Sequence, residues 1–140
     1  MLCKDVMKTN VEYLNPNDTA QTAAQRMRER NIGFIPICNS AKKAIGTLTD
    51  RDLAVRVIAD ARNVNTPVSD VMTKDIVACQ PSDDIRRAEE LMGQHQKSRI
   101  LCIDQEGRPL GVISLSDVVA KVDAPEAVQV LRQVAARVLE

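Results

Sequence analysis

The sequence predicts an α/β fold built from two copies of one unit, and two observations support this prediction. Shifting the chain by 65 residues aligns residues 4–57 with residues 69–122 without a gap, and eleven of the aligned positions are identical. Such self-similarity indicates an internal duplication. In addition, the apolar periodicity of each copy changes in the same order, which predicts strand, helix, strand, strand and helix.

Each predicted element has a local signal. A short strand is predicted at "NVEYL" in the first copy and at "DIVAC" in the second. Pro16 or Pro81 ends this strand, because proline cannot donate to a sheet ladder. The next helix has an apolar stripe at helical spacing. The stripe residues are Ala20, Ala23, Ala24 and Met27 in the first copy, and Ile85, Ala88 and Met92 in the second.

Two apolar runs then predict a β-hairpin, and a last helix begins at Thr49 or Ser114. The runs are "FIPIC" and "AIGTLT" in the first copy, and "RILCID" and "PLGVIS" in the second, each pair separated by a polar turn. The unit is therefore βαββα. We expect the two units to pack sheet against sheet as one pseudo-two-fold module.

These patterns divide the chain into four segments. We assign residues 1–60 to the first repeat, 61–68 to a linker, 69–122 to the second repeat and 123–140 to a C-terminal amphipathic helix. The helix is predicted by a D-x-x-E start at Asp123 and by Pro125 in its first turn. Its apolar stripe packs either on the module or on a second subunit. The stripe consists of Ala127, Val130, Leu131, Val134 and Val138.

Composition excludes several classes of function. The formal net charge is zero and aromatic residues are 1% of the chain, so the sequence predicts no nucleic-acid binding. No uncharged apolar stretch has the roughly 18 residues of a membrane span, and we expect no membrane association. The four cysteines are widely spaced, without a CxxC pair, which is typical of reduced, buried thiols. We therefore expect a cytoplasmic protein.

The polar motif at the end of each hairpin has two readings. "GTLTDRD" at 46–52 and "GVISLSD" at 111–117 place a hydroxyl three residues before Asp52 or Asp117, the spacing of a capping box. Alternatively, the carboxylate anchors a ribose diol while the hydroxyls and nearby N–H groups bind phosphate oxygens. The two readings are compatible.

The chain shows no catalytic signature. It has no Gly-rich phosphate loop, no metal-ligand spacing, and no nucleophile paired with a base. Its single histidine, His95, lies in a polar run without an obvious partner. We therefore expect that the protein is not an enzyme.

The tandem motifs, the hairpins upstream of them and the "DVM" at the head of each copy resemble a pair of CBS domains, a Bateman module. The resemblance covers residues 4–122. It implies two clefts between the repeats that bind an adenosyl ligand: AMP, ADP, ATP, NAD or S-adenosylmethionine. No cofactor is required, and such a ligand acts as a regulator.

The resemblance also assigns roles to individual residues. Asp52 and Asp117 are expected to hold ribose, with Thr49 and Ser114 helping to hold ribose or phosphate. The second copy is similar to repeats of the family in which an arginine just before the strand reaches phosphate, and this implies roles for Arg99 and Ser116.

The first copy departs from that pattern. It has Phe34 where the second copy has Arg99, and Arg51 is expected to supply the positive charge instead. The adenine is expected to lie between apolar strand residues such as Ile35 and Ile100.

The function that follows is a regulatory sensor. We expect the chain to bind its adenosyl ligand, to form a homodimer and to signal to an unidentified effector protein. The alternative is a structural or interaction dimer module with vestigial clefts, in which the S/T-x-x-D motifs serve only as helix caps.

Overall fold

The computed structural model describes residues 1–139, and the side chains of residues 1–136. The described chain forms two compact units. The central unit runs from Glu12 to Ile76, and the terminal unit combines Met1–Val11 with the chain from Val77 onward. No helix among the described residues has the length and apolarity needed to cross a bilayer.

The central unit contains one long helix, a hairpin and a short helix. Its elements are α1 (Ala20–Arg30), β1 (Phe34–Cys38), β2 (Ala44–Thr49) and α2 (Asp50–Leu53). A π-helical segment, Ala54–Ile58, continues α2, and a 3-10 turn follows at Val68–Asp70. The strands β1 and β2 pair antiparallel, with Phe34 opposite Thr49.

The terminal unit repeats this order and adds a C-terminal helix. After a 3-10 turn at Cys3–Asp5, its elements are β3 (Ala78–Cys79), α3 (Ile85–His95), β4 (Arg99–Ile103), β5 (Pro109–Ser114), α4 (Leu115–Val119) and α5 (Ala124–Leu139). The three strands form one sheet in the order β3-β4-β5. The β4-β5 hairpin is antiparallel, and its register sets Arg99 opposite Ser114.

The long helices bury the faces that the sequence predicts. Ala20, Ala23 and Met27 of α1 lie in the core of the central unit, together with Ile35 and Leu48 of the hairpin. The equivalent residues of α3 lie in the core of the terminal unit. Ala24 is exposed and lies outside the buried face.

The predicted first strand is much shorter than its apolar run. In the terminal unit it is the two-residue β3, and in the central unit it is a single parallel bridge between Leu14 and Ile37. Leu101 N–H donates to the Val77 carbonyl at 3.2 Å, whereas the equivalent residue of β1 is Pro36, which has no N–H. The missing donor shortens the ladder of the central unit.

The boundaries of the compact units differ from those of the sequence repeats, because the "DVM" segments are exchanged between the repeats. Lys8, which follows the first segment, pairs with Val112 of β5 through two backbone bonds of 2.9 and 3.0 Å. Thr73, which follows the second segment, pairs with Thr47 of β2 through bonds of 2.8 and 2.9 Å. Each repeat thus gives its N-terminal segment to the hairpin of the other, and the repeat boundaries stay a prediction.

This exchange explains two pairs of identical residues. A Cβ atom on Gly111 would lie 2.8 Å from Met7 Sδ and 3.0 Å from the Lys8 carbonyl oxygen. A Cβ atom on Gly46 would meet Met72 in the same way. Glycine is therefore needed where the methionine of the exchanged segment crosses the strand.

The helix α5 packs within the terminal unit, on α3 and α4. Val130 and Val134 are buried, as the stripe predicts, while Leu131 is exposed. Val138, also part of the predicted stripe, lies outside the residues whose side chains are described.

Candidate functional site

The polar motif of the second repeat folds into a compact group, here called the terminal corner. It consists of Lys8, Arg99, Ser114, Ser116 and Asp117. Ser114 is both the last residue of β5 and the N-cap of α4, so one residue joins the sheet edge to the helix start. The hairpin register sets Arg99 opposite Ser114 on the neighbouring strand.

Hydrogen bonds at the terminal corner form the expected capping box. Asp117 N–H donates to Ser114 Oγ at 3.1 Å, and Ser114 N–H donates to Asp117 Oδ2 at 3.4 Å. The Ser114 hydroxyl also donates to Asp117 Oδ2 at 2.6 Å, and Ser116 Oγ lies 2.9 Å from Ser114 Oγ. All these bonds from the box to the carboxylate reach Oδ2, which leaves Oδ1 outside the box.

The remaining oxygen of Asp117 faces a cation that sequence reasoning missed. Lys8 Nζ lies 3.7 Å from Asp117 Oδ1, and the lysine side chain is 76% exposed. Lys8 reaches this position because the exchanged N-terminal segment pairs with Val112 of β5. A residue so distant in sequence has no local signal that links it to Asp117.

The first repeat forms an equivalent group, the central corner, made of Thr49, Asp50, Arg51, Asp52 and Arg56. Thr49 is the N-cap of α2 and accepts from Asp52 N–H at 3.1 Å. Thr49 N–H donates to Asp52 Oδ2 at 2.9 Å, which completes a capping box. The first half of the predicted site is thereby brought together.

Arg56 is the cationic neighbour of Asp52. Its Nε atom lies 3.9 Å from Asp52 Oδ1, and its NH1 group donates to the carbonyls of Val71 and Met72 at 3.1 and 3.0 Å. The i,i+4 spacing of Asp52 and Arg56 is a helix-pair signal that could have identified it. Asp52 Oδ1, like Asp117 Oδ1, stays outside the capping box.

The side chains of two predicted cations have no polar partner in the described part of the chain. Arg99 and Arg51 are both exposed, and neither side chain has a hydrogen bond or ion pair there. Arg99 is placed beside Ser114 by the strand register, whereas Arg51 lies next to Asp52 along the chain. Their predicted contacts with a phosphate stay a prediction.

The central corner contains a second carboxylate that the sequence reasoning did not consider. Arg51 N–H donates to Asp50 Oδ1 at 2.9 Å, and Asp50 N–H donates to the Gly33 carbonyl at 3.1 Å. The equivalent backbone bond in the terminal corner joins Leu115 N–H to the Ser98 carbonyl at 2.7 Å. Leucine provides no second acid there.

The expected adenine contact with Ile35 and Ile100 is wrong. Ile35 is 0% exposed and Ile100 is 1% exposed, and each belongs to the hydrophobic core of its own unit. A side chain enclosed by its core has no face left for a base. Strand periodicity does not say which of the two sheet faces the helices cover.

The four cysteine thiols are buried, as the composition predicts. Burial raises the pKa of Cys38 to about 11, and a hydrogen bond with the Cys102 thiol, with burial, raises the pKa of Cys79 to about 12. A neutral thiol is a poor nucleophile. Within residues 1–139 there is also no group of three His, Cys, Asp or Glu side chains suited to a metal.

One acidic group outside the corners is perturbed. Glu89 of α3 faces Glu126 of α5 in a small polar groove that Arg86 also lines. Burial, and then the nearby Glu126 carboxyl, raise the pKa of Glu89 to about 7, and Glu89 Oε1 is buried without a hydrogen-bond partner. Arg86 Nε lies 4.0 Å from Glu126 Oε1 and opposes this shift.

The fold and the two corners define a tandem CBS-domain protein. The CBS domain family model matches residues 3–59 and again residues 68–124. The matched segments include both exchanged "DVM" segments and both capping boxes. The chain therefore belongs to the CBS domain family.

Similar proteins support the assignment. The CBS domain-containing protein YhcV of Bacillus subtilis is 40% identical over 114 residues, which are 81% of this chain and 80% of that protein. The crystal structure of the conserved CBS domain protein TA0289 from Thermoplasma acidophilum, of unknown function, has a TM-score of 0.83 at 21% identity. It covers 95% of this chain and 75% of its own.

A second similar structure contains ligands. The CBS domain pair of protein MJ0100, in complex with 5′-methylthioadenosine and S-adenosylmethionine, has a TM-score of 0.78 at 20% identity. It covers 86% of this chain and 94% of its own. At this identity the likeness shows a shared fold.

Proposed function

We propose that the protein is a regulatory module that binds an adenosine-containing ligand at its polar corners and signals the occupancy to a partner protein. The observation that supports this function is that the two carboxylate oxygens of each aspartate have different surroundings. In Asp52 and Asp117, Oδ2 closes the capping box while Oδ1 stays outside it. One carboxylate can thus cap the helix and still accept from a ribose hydroxyl.

The neighbouring cations fit the same ligand. Lys8 approaches Asp117 Oδ1 at the long distance of 3.7 Å and is largely exposed, so a hydroxyl can enter beside it. Arg99 is exposed beside Ser114, and a guanidinium suits a phosphate because its planar fork donates two bonds. The ligands named for MJ0100 are adenosyl compounds, in agreement with this class.

Regulation follows from unequal binding to two states. A ligand changes a conformational equilibrium only when it binds one arrangement more tightly than the other. The corners lie at the junction of a strand with a helix, so a ligand there contacts two elements at once. An effector protein would read the resulting change.

The proposal is tested by calorimetry of the full chain with AMP, ADP, ATP, NAD and S-adenosylmethionine. Binding at micromolar or tighter affinity supports the sensor. Silence across the panel contradicts it and favours the alternative, a structural module in which the completed capping boxes are the only role of Thr49, Asp52, Ser114 and Asp117. Mass spectrometry of small molecules that co-purify with the protein would identify the natural ligand.

A further inference from the structure

The terminal and central corners differ in formal charge. In the terminal corner two cations, Lys8 and Arg99, accompany one carboxylate, Asp117, so its formal charge is +1. In the central corner two arginines accompany two carboxylates, and the formal charge is zero. Lys8 and Arg56 supply one cation to each corner. Beyond these, Arg99 and Leu115 stand where the central corner has Phe34 and Asp50, which adds two positive charges to the terminal corner. Ser116 stands where the central corner has Arg51, which removes one.

The negative charge of Asp50 lies within the central corner itself. Its carboxylate folds back over Gly33, since a Cβ atom on Gly33 would lie 2.8 Å from Asp50 Oδ2. Its other oxygen accepts a hydrogen bond from the N–H of Arg51, the residue before Asp52. An internal anion therefore occupies this side of the central corner, and Leu115 leaves the terminal corner without one.

The arginines of the central corner do not offset the repulsion between the Asp50 carboxylate and a ligand phosphate. Arg56 is already engaged with Asp52 and with the Val71 and Met72 carbonyls. Arg51 is exposed, and no acceptor among the described residues holds its guanidinium. Asp50 is two residues before Asp52, so its charge acts at short range on a ligand held by Asp52.

We infer that the two corners select different ligands: the terminal corner takes an adenosyl ligand with a 5′-phosphate, and the central corner takes one whose 5′ substituent is uncharged or cationic. This inference rests on the proposed function and extends it. Asp50 is the specificity-determining residue, because it repels a phosphate and attracts a sulfonium. In the terminal corner, Arg99 and Lys8 reverse this preference.

The test is calorimetry of the full chain with AMP and with 5′-methylthioadenosine, which carries no phosphate. The expected result is one AMP molecule and one 5′-methylthioadenosine molecule per chain. Asp117→Ala should remove the AMP site and keep the 5′-methylthioadenosine site, whereas Asp52→Ala should remove the 5′-methylthioadenosine site and keep the AMP site.

Asp50→Asn provides the decisive variant, and Asp60→Asn its control. Asp60 is an exposed acid of the same unit, outside the central corner, so both variants change the net charge equally. Removing the Asp50 charge should tighten AMP binding at the central corner by about tenfold, which is about 1.4 kcal/mol, and create a second AMP site. Asp60→Asn should bind as the parent does.

Three results would overturn the inference. Two AMP sites of equal affinity in the parent would show that Asp50 does not discriminate, and so would an Asp50→Asn variant that binds AMP unchanged. In both cases the proposed function survives. If neither compound binds, the proposed function fails and this inference fails with it.

Discussion

At the scale of single residues, the motif repeated at the end of each hairpin has a clear structural task. The hydroxyls of Thr49 and Ser114 cap helices, and the aspartates three residues later close the boxes. Capping alone uses one carboxylate oxygen. A helix cap requires neither the second oxygen nor the exposed cations beside it. Their presence favours a ligand site.

We predict that Arg99→Ala and Asp117→Ala each weaken nucleotide binding by about 1–3 kcal/mol, since each removes a charge-assisted hydrogen bond. This corresponds to a roughly 5- to 150-fold higher dissociation constant in calorimetry. The matched control is Arg132→Ala, which removes an exposed arginine of α5. Parent-like binding by both Arg99→Ala and Asp117→Ala would refute the assignment of the terminal corner.

At the scale of elements, each exchanged segment pairs with the hairpin of its own compact unit and contributes to the packing of that unit. Gly111→Ala should destabilise the protein by about 1–3 kcal/mol, because the new methyl group meets Met7 and the Lys8 carbonyl. The Lys8 carbonyl cannot move away freely, since it accepts from Val112 N–H at 3.0 Å. Urea unfolding measures the loss.

A second substitution checks the cause of that loss. Met7→Ala removes the side chain that crosses Gly111 and costs stability by itself. If the crossing is responsible, Met7→Ala and Gly111→Ala combined should cost less than the sum of the two single changes. Strict additivity would argue against this contact.

The packing of α5 on α3 should depend on pH. The pKa of Glu89 is raised from 4.5 to about 7 in the folded chain, so the folded state holds a proton that the unfolded state has already lost. The stability linked to this proton is complete below pH 4.5 and is lost as the pH rises through 7. Stability should therefore fall over that interval.

Glu89→Gln removes the titration while keeping the shape of the side chain. The variant should match the parent at pH 5 and exceed it at pH 8 by about 1–2 kcal/mol, a value reduced for solvent screening of a partly exposed group. Urea unfolding at both pH values measures it. Glu90→Gln, at an exposed acid paired with Arg87, is the control and should show no such pH dependence. A Glu89→Gln effect that is equal at pH 5 and pH 8 would contradict the prediction.

At the scale of the whole molecule, the exposed apolar side chains include one in each compact unit that could lie in an interface. Ile58 of the central unit is 78% exposed, and Leu131 of α5 is 41% exposed. We propose that the chain forms a homodimer through one of them, because exposed apolar surface often marks a protein–protein contact.

Sedimentation measures this directly. We expect a mass near twice 15.4 kDa for the parent, and a shift toward the monomer in either Ile58→Asp or Leu131→Asp. The variant that shifts identifies the interface, and the other serves as its control. A monomeric parent would refute the homodimer, and two dimeric variants would place its contact elsewhere.

Part of this protein could be predicted from sequence because the signals are local. Helix faces, caps and hairpins depend on residues a few positions apart, and the 65-residue repeat checks each pattern twice. Thr49 with Asp52, and Ser114 with Asp117, were predicted and are found together. The i,i+4 spacing of Arg56 from Asp52 is also a local signal and could have identified Arg56.

Other features were decided only by the tertiary structure. The sequence by itself determined the duplication, the order of the elements and the two capping boxes, since each depends on local spacing. The tertiary fold decided that the "DVM" segments are exchanged, that Lys8 faces Asp117, and that Ile35 and Ile100 are enclosed in their cores. These contacts join residues far apart in the chain, and they form because each hairpin edge pairs with the segment of the other repeat.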